Sequence, residues 1–300
     1  MGIDTRDPTR DPTRDPASAR VTGLDALELG TTGPRQWSAG RVAAKVWRSL
    51  WPKALAVSIV LLIWQLVVLS GWKSPFVLPG PGPVFDELGA ELTTAAFWNS
   101  ILITMRRAVI GFFFAIVIGT AVGAAVAAFK PLRAAIGSLI TGLQTMPSVV
   151  WFPFAILLFK ISEGAIMFVV ILGAAPSIAN GLIGGIDYVP PTWKRVGTVL
   201  GMRGLSLYRH LILPASLPSF VSGTKQGWSF AWRSLMAGEL LVIVAGQLSL
   251  GARLQGARDL NDAPSLLAFI IVILMIGILV DIAFNAADNA LRRRWGLTQA

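Results

Sequence analysis

The sequence predicts an all-α integral membrane protein with about six transmembrane helices, on the basis of its composition and of the length of its apolar segments. Hydrophobic residues make up 54% of the chain and charged residues 14%, and the mean hydropathy is +0.65. Soluble chains carry about 25% charged residues. A helix needs about 20 predominantly apolar residues to cross a bilayer core of about 30 Å. Six segments approach or exceed that length: residues 54–71, 108–129, 134–159, 165–186, 220–245 and 265–287.

Proline and glycine modify the middle segments. Pro147 and Pro153 in the third segment and Pro176 in the fourth predict kinked helices, whose freed carbonyl groups neighbouring helices can satisfy. Glycines spaced four residues apart let helix backbones approach closely, although membrane helices also tolerate glycine without such a role. Two pairs have this spacing: Gly119 with Gly123, and Gly181 with Gly185.

The distribution of Lys and Arg predicts the side of the membrane for each loop, because cytoplasmic loops are enriched in basic residues. Four basic residues precede the first segment and place the N-terminus in the cytoplasm: Arg41, Lys45, Arg48 and Lys53. Alternation of six segments then places the basic run at residues 292–294, and with it the C-terminus, on the same side. Arg106 and Arg107 are the exception, because they lie on the predicted outer side directly before an apolar segment. The net charge of +10 is scattered along the chain, so no nucleic-acid partner is predicted.

Several kinds of site are excluded or disfavoured by what the sequence lacks. The chain has no cysteine and one histidine, His210, so disulfides and metal sites built from Cys or His are not expected. It has no Walker A motif, so any use of ATP requires another subunit. It also lacks the His-Glu-x-x-His and Gly-x-Ser-x-Gly patterns, so no catalytic residue is predicted and an intramembrane enzyme is disfavoured. An ion-driven secondary transporter is another hypothesis. It would be expected to have an internal inverted repeat, and none is visible in the sequence.

The two ends of the chain are polar. Residues 1–38 contain three consecutive Thr-Arg-Asp-Pro repeats and no apolar core of a signal peptide, which predicts a disordered cytoplasmic tail. A partner-binding segment is the alternative interpretation. Residues 39–75 form a basic segment followed by the first membrane helix, and residues 295–300 form a C-terminal tail.

The loop at residues 187–218, on the predicted cytoplasmic side, carries the clearest functional signal. Pro190 and Pro191 can begin a helix because proline fits its first turn, and Gly201 can end that helix. A second short helix is expected over residues 205–213, ending before Pro214. Such a helix pair predicts a docking element for a partner protein, with an amphipathic helix on the membrane surface as the alternative.

This loop resembles the cytoplasmic signature of binding-protein-dependent ABC importer permeases, which has Glu-Ala-Ala, a glycine four residues later and a closing Ile-x-Leu-Pro. Gly201 matches the glycine, and residues 211–214 match the close with one conservative change. The opening departs from the signature, because Arg195-Val196-Gly197 stands in place of Glu-Ala-Ala. The resemblance implies that the loop couples the membrane helices to an ATPase through these residues: Thr192, Trp193, Arg195, Val196, Val199, Leu200, Gly201, Arg203, Leu211, Leu213 and Pro214.

Residues 76–294 resemble the permeases of aliphatic sulfonates, taurine and nitrate at several separated motifs. In order, these are Leu78-Pro79-Gly80-Pro81, Arg107-Ala-Val-Ile-Gly-Phe, Met146-Pro-Ser-Val-Val-Trp-Phe-Pro and Trp232-Arg-Ser-Leu-Met-Ala-Gly-Glu. The third of these resembles the broken third helix of that family. The resemblance implies a permease core with the type I ABC importer fold, in a bacterial inner (plasma) membrane, that conducts a small anionic solute. An aliphatic sulfonate is the first candidate, with taurine, nitrate or bicarbonate as alternatives.

The same resemblance implies the partners of the chain. Two copies of an ABC ATPase would bind ATP and Mg and supply the energy, so no cofactor is expected on this chain. A second copy of the chain would complete the path, and an extracytoplasmic solute-binding protein would deliver the solute.

Ionisable residues inside membrane segments are costly and are therefore candidates for function. Arg233 is interpreted as an anion-attracting group of the translocation path, with a structural ion pair as the alternative, and Glu239 is interpreted as structural. The two lie six residues apart on different faces of one helix, so each is expected to find a partner elsewhere, across a dimer axis or at Gln144. The candidate path residues are Gln144, Pro147, Trp151, Trp232, Arg233 and Glu239.

Overall fold

The computed structural model describes residues 39–294, and every regular element within that range is helical. The predicted tails at residues 1–38 and 295–300 lie outside the described residues. The chain divides into two units, Met1–Leu62 and Ile63–Ala300, and the described part of the first belongs to the helix Ala39–Leu69. The all-α prediction is confirmed for the described part of the chain.

Ten helices of eight residues or more follow one another in the described residues. Shorter turns connect some of them, at Ser148–Trp151, Leu205–Leu207 and Tyr208–Ile212. The ten helices are α1 (Ala39–Leu69), α2 (Pro81–Leu92), α3 (Ala95–Ala128), α4 (Lys130–Thr145), α5 (Phe152–Phe159), α6 (Glu163–Asp187), α7 (Pro191–Val199), α8 (Leu213–Leu241), α9 (Leu250–Asp259) and α10 (Ala263–Arg294).

Within the described residues, four helices are long and apolar enough to cross a membrane, and a fifth span results if a bent pair is counted as one. The bent pair is Pro131–Thr145 with Ser148–Phe159, and the four single spans are Trp51–Leu69, Ala95–Ala128, Glu163–Asp187 and Ala263–Ala290. The remaining predicted span, residues 220–245, falls on α8. That helix has 29 residues, about 43 Å at the usual rise, so it is long enough to span. Its polar residues, including Lys225, Arg233 and Glu239, make it less apolar than the four single spans.

The third predicted span is broken rather than kinked. Its two halves meet at 105°. Met146 is in an extended conformation with φ −73° and ψ 135°, as expected for a residue that precedes proline. The kink expected from the prolines was therefore wrong, because the residue before Pro147 leaves the helical region altogether. The break agrees instead with the resemblance of residues 146–153 to a broken helix of the permease family.

Two predicted helix ends also need correction. Helix α3 begins at Ala95 rather than at residue 108, since Thr94 caps it by accepting a hydrogen bond from the backbone N–H of Phe97 at 3.2 Å. The second helix of the loop does not end before Pro214 but continues into α8 through a π turn at Tyr208–Ile212. A π turn is one of the local adjustments by which a helix accommodates the missing N–H of proline.

Helix α6 packs between α3 and α8 at very short distances. A Cβ on Gly119 would lie 2.6 Å from the carbonyl oxygen of Ala175, and a Cβ on Gly181 would lie 2.6 Å from the Cα of Gly223. Gly123 and Gly185 make equally close approaches to α6 and α8, respectively. The spaced glycines are therefore packing positions, as one of the two interpretations of the sequence predicted.

Candidate coupling loop and translocation groove

The loop at residues 187–218 presents an apolar surface to its surroundings. Helix α7 begins with Pro191 at its first turn and ends before Gly201, whose φ of +85° favours glycine. Five apolar side chains form what we call the loop patch, with Val199 87% and Leu205 83% exposed. Large exposed apolar side chains that lie close together are candidates for an interaction surface. The loop patch consists of Trp193, Val196, Val199, Leu200 and Leu205.

The opposite side of α7 rests on the turn that leads into α8. Gly197 is buried there, and a Cβ on it would lie 2.7 Å from Cδ1 of Leu207 and 3.5 Å from Cδ1 of Leu211. Gly197 is the last residue of the triplet that departs from the family signature. The structure therefore gives that residue a packing role, which the sequence comparison alone did not reveal.

The remaining residues predicted for coupling divide between surface and core. The exposed ones on α7 and the turn after it are Thr192, Arg195, Gly201 and Arg203. Leu211 packs beside Ile212 against the end of α6, and Pro214 is half-buried in the first turn of α8. Leu213 is exposed. The motif thus has an exposed side and a side that packs against the ends of α6 and α8.

Two cavities lie along one face of α6 and α8. The first, of about 370 Å³, is the Arg233 cavity, and its lining includes Gln144, Pro147, Gly173, Phe230 and Arg233. The second, of about 680 Å³, is the amide cavity, and its lining includes Gln144, Ser177, Asn180, Ser219, Ser222, Gln226 and Arg292. Positions 173, 177 and 180 of α6, and positions 219, 222, 226, 230 and 233 of α8, recur at helical spacing. The two cavities are therefore successive stretches of one groove, with Gln144 in the wall of both.

The charges on the groove walls are positive. Neither cavity lining contains a carboxylate. Arg292 of the amide cavity pairs with Asp288 at 2.9 Å. Arg233 forms no ion pair with a carboxylate of the described residues; its Nε donates to the carbonyl oxygen of Ser229 at 3.1 Å, and its guanidinium lies 4.8 Å from the ring centre of Phe230.

Three of the six predicted path residues therefore lie on the groove, namely Gln144, Pro147 and Arg233. Trp151 and Trp232 line neither cavity and pack against the main hydrophobic core, where Trp232 stacks on Trp228 with ring centres 6.2 Å apart. Gln144 accepts a hydrogen bond from the Asn180 amide at 2.7 Å and pairs with neither Arg233 nor Glu239.

Glu239 lies in a buried ionic cluster away from both cavities. It accepts hydrogen bonds from Nη1 of Arg107 at 3.0 Å, from the Thr104 hydroxyl at 2.9 Å and from the backbone N–H of Gly251 at 3.1 Å. Arg107 is 1% exposed, and its Nη2 donates to Glu163 and Gln247, each at 3.2 Å. The expectation that Glu239 pairs across a dimer axis or with Gln144 was therefore wrong.

This cluster also shows where Arg107 lies, which the distribution of Lys and Arg among the loops did not predict. Helix α3 contains both Arg106 and Arg107, of which the first is exposed and the second buried. A signal was present in the sequence, because the predicted orientation puts Arg107 and Glu239 at the same outer end of their segments. Opposite charges at equal depth in two apolar segments are a reason to pair them.

Comparison with known proteins decides the family. The model of the binding-protein-dependent transport system inner membrane component family matches residues 115–293, more than half of the 300-residue chain. The chain belongs to this family. It is a multi-pass inner-membrane permease of the ABC importer class and not itself an enzyme, since the ATPase of such a transporter is a separate subunit.

Individual relatives agree with that assignment. The permease is 25% identical over 257 residues to the taurine transport system permease protein of Escherichia coli, covering 82% of this chain and 92% of that protein. It is 25% identical over 237 residues to the nitrate import permease protein of Synechocystis, covering 76% and 84%, respectively. A chain of the MetNI methionine ABC transporter has the same fold at a TM-score of 0.56 and 18% identity, covering 65% of this chain and 96% of that one. The predicted type I importer fold is confirmed.

Proposed function

We propose that the permease forms the translocation path for a small oxyanion and that a partner ATPase drives it through residues 187–218. An aliphatic sulfonate is the first candidate for the solute, with taurine, nitrate or bicarbonate as alternatives. The observation that carries the proposal is the groove, whose two cavity linings contain arginine and no carboxylate.

The electrostatics of the groove support an anion. Arg233 lies on a cavity wall without a carboxylate partner among the described residues, so its charge is available to a solute. The amide cavity adds the side chains of Asn180, Gln226 and Ser219, which can donate hydrogen bonds to oxygen atoms of a solute. A planar guanidinium with several N–H donors suits sulfonate, nitrate or bicarbonate oxygens.

The relatives support the same class of solute. One is named for taurine, which carries a sulfonate, and the other for nitrate. Nitrate is an oxyanion and taurine presents a sulfonate group beside its ammonium, and both are of a size that the cavities, of about 370 and 680 Å³, can hold.

The loop patch supports coupling to an ATPase. Five apolar side chains on α7 and the turn after it are exposed, while Gly197 packs the other side of the same helix against the turn that leads into α8. A push on the patch would therefore reach α8, which carries the groove residues Ser219, Gln226 and Arg233. We expect two ATPase copies binding ATP and Mg on the cytoplasmic side, a second permease copy, and a solute-binding protein outside.

Solute specificity is testable in proteoliposomes that contain the permease, its ATPase and its binding protein. Labelled taurine, ethanesulfonate, nitrate and bicarbonate are offered in turn, with choline as a cation of similar size. The proposal predicts ATP-dependent accumulation of at least one oxyanion and none of choline. Accumulation of choline without any oxyanion would contradict it.

Coupling is testable by co-purification of the ATPase with the permease. Val199→Asp places a charge on the most exposed side chain of the loop patch, and burying it in an interface should lower ATPase recovery about tenfold or more. Leu260→Asp is the matched control, since Leu260 is 81% exposed but lies between α9 and α10. Equal ATPase recovery with Val199→Asp and Leu260→Asp would show that the patch is not the contact.

A further inference from the structure

One hydrogen bond lies where the two cavities of the groove meet. Nδ2 of Asn180, on α6, donates to Oε1 of Gln144, on α4, at 2.7 Å. Gln144 lines both cavities, whereas Asn180 lines only the amide cavity. Along α6, Gly173 lines the Arg233 cavity, and Ser177 and Asn180 line the amide cavity further along the same face. The bonded pair therefore lies where the two stretches meet, and it joins the α4 wall of the groove to the α6 wall.

The two partners of this bond belong to elements that are held very differently. Asn180 lies in the middle of α6, where its neighbours Ile178, Ala179 and Leu182 are buried between α3 and α8. Gln144 is the residue before the last of α4, and the chain leaves the helix at Met146 with the 105° bend. Ile140, one turn before Gln144, is buried against Val126 and Ala179. Movement confined to the last turn of α4, at this bend, would therefore withdraw Gln144 from Asn180 and leave the contact of Ile140 with α6 in place.

The chemistry of the pair suits a bond that is repeatedly broken and remade. It joins two neutral amides, and such a bond contributes only about 1 kcal/mol net. When the pair separates, both amide N–H groups can donate to the oxygen atoms of a solute. An ion pair at the same place would hold an anion too firmly or repel it.

We propose that the Gln144–Asn180 hydrogen bond is a latch, which closes the groove between the Arg233 cavity and the amide cavity and opens for each solute to pass. The latch rests on the proposed function, because it presupposes that a solute moves along the groove. It makes Asn180 and Gln144 gating residues of the permease.

The latch is tested by passive leak of labelled taurine from proteoliposomes that contain the complete transporter and no ATP. Asn180→Ala and Gln144→Ala each remove one partner and should raise the leak about fivefold, the change that corresponds to ~1 kcal/mol. The double variant should leak no faster than either single variant, because the same bond is lost in all three. Thr141→Ala is the control, since that hydroxyl lies on α4 outside both cavity linings and bonds to the Gly137 carbonyl oxygen of its own helix, at 3.3 Å.

Two results would overturn the latch. One is a leak in both single variants equal to that of the wild type, and the other is a double variant whose leak equals the product of the two separate increases. Size-exclusion profiles identify any variant that fails to assemble. If one single variant fails, the leak of the other single variant is compared with that of the wild type. Failure of the proposed function is a separate outcome, namely a wild-type transporter that accumulates no oxyanion with ATP.

Discussion

Arg107 and Arg233 both lie on helices of the membrane bundle, yet their surroundings have little in common. Arg107 is 1% exposed, and its two terminal nitrogens bind Glu239, Glu163 and Gln247. Arg233 is exposed on a cavity wall and donates from Nε to a carbonyl oxygen of its own helix. A charge surrounded by partners contributes to the fold, whereas a charge without a carboxylate partner on a cavity wall is available to a solute.

The ionic cluster also orders the segment that follows α8. The Glu239 carboxylate and the Thr104 hydroxyl accept hydrogen bonds from the backbone N–H groups of Gly251 and Leu250, in the first turn of α9. A carboxylate at a helix N-terminus satisfies unpaired donors and interacts favourably with the helix dipole. The cluster therefore connects α3, α6, α8 and α9 through hydrogen bonds and ion pairs at one end of the bundle. The described residues of α6 and α8 that line the groove form no comparable ionic cluster.

The largest expected effect comes from removing Arg107. Arg107→Met leaves the Glu239 carboxylate buried without its cation, which should lower the free energy of unfolding by about 3–5 kcal/mol. Arg233→Met is the matched control and should change stability by no more than about 0.5 kcal/mol. Thermal unfolding of the purified variants in detergent compares the two. Equal loss of stability in both would remove the distinction between the two arginines.

A smaller loss of stability is expected from a substitution where α6 and α8 pack through glycines rather than through charged residues. Gly223→Ala places a Cβ 2.6 Å from the Cα of Gly181, so the two backbones must separate at a cost of about 1–3 kcal/mol. Gly142→Ala in α4 is the control, because a Cβ there meets nothing within 4 Å. The same thermal unfolding measurement applies. If Gly223→Ala were as stable as Gly142→Ala, close backbone packing would not be what holds the groove helices.

The substitution with the smallest expected change in free energy, at Arg233, should have the clearest effect on transport. Arg233→Ala should reduce ATP-driven uptake of the transported oxyanion about tenfold, equivalent to ~1.4 kcal/mol, while leaving assembly unchanged. Arg233→Lys keeps the charge and should lose less than the alanine variant does. Initial uptake rates in proteoliposomes measure this. Undiminished uptake by an assembled Arg233→Ala transporter would assign that residue no part in the path.

The elements that the sequence predicted well are those with a local signal. The length of its apolar run located the membrane segment over α6 to within two residues at each end. Pro191 and Gly201 marked the ends of the loop helix, because proline fixes a helical φ and glycine readily adopts the positive φ that ends a helix. The bend at Met146 was underestimated, because the residue before a proline can either tilt a helix or leave it, and tertiary packing decides which.

The candidate site was predictable only in part. Gln144, Pro147 and Arg233 were identified because polar residues and proline are conspicuous in apolar segments, but Asn180, Ser219 and Gln226 share the groove and were not identified. Their common face appears only when α4, α6 and α8 are brought together. The partner of Glu239 was missed for the same reason, since Arg107 lies more than a hundred residues earlier in the chain.

The account is tested most directly by measuring solute uptake and ATP hydrolysis together in the same proteoliposomes, for the wild type, Val199→Asp and Arg233→Ala. It predicts that Val199→Asp loses transport-linked hydrolysis and uptake alike, because the loop patch no longer engages the ATPase. Arg233→Ala should retain hydrolysis while taking up less oxyanion for each ATP hydrolysed. Wild-type levels of both activities in Val199→Asp, together with an unchanged ratio of uptake to hydrolysis in Arg233→Ala, would contradict the account.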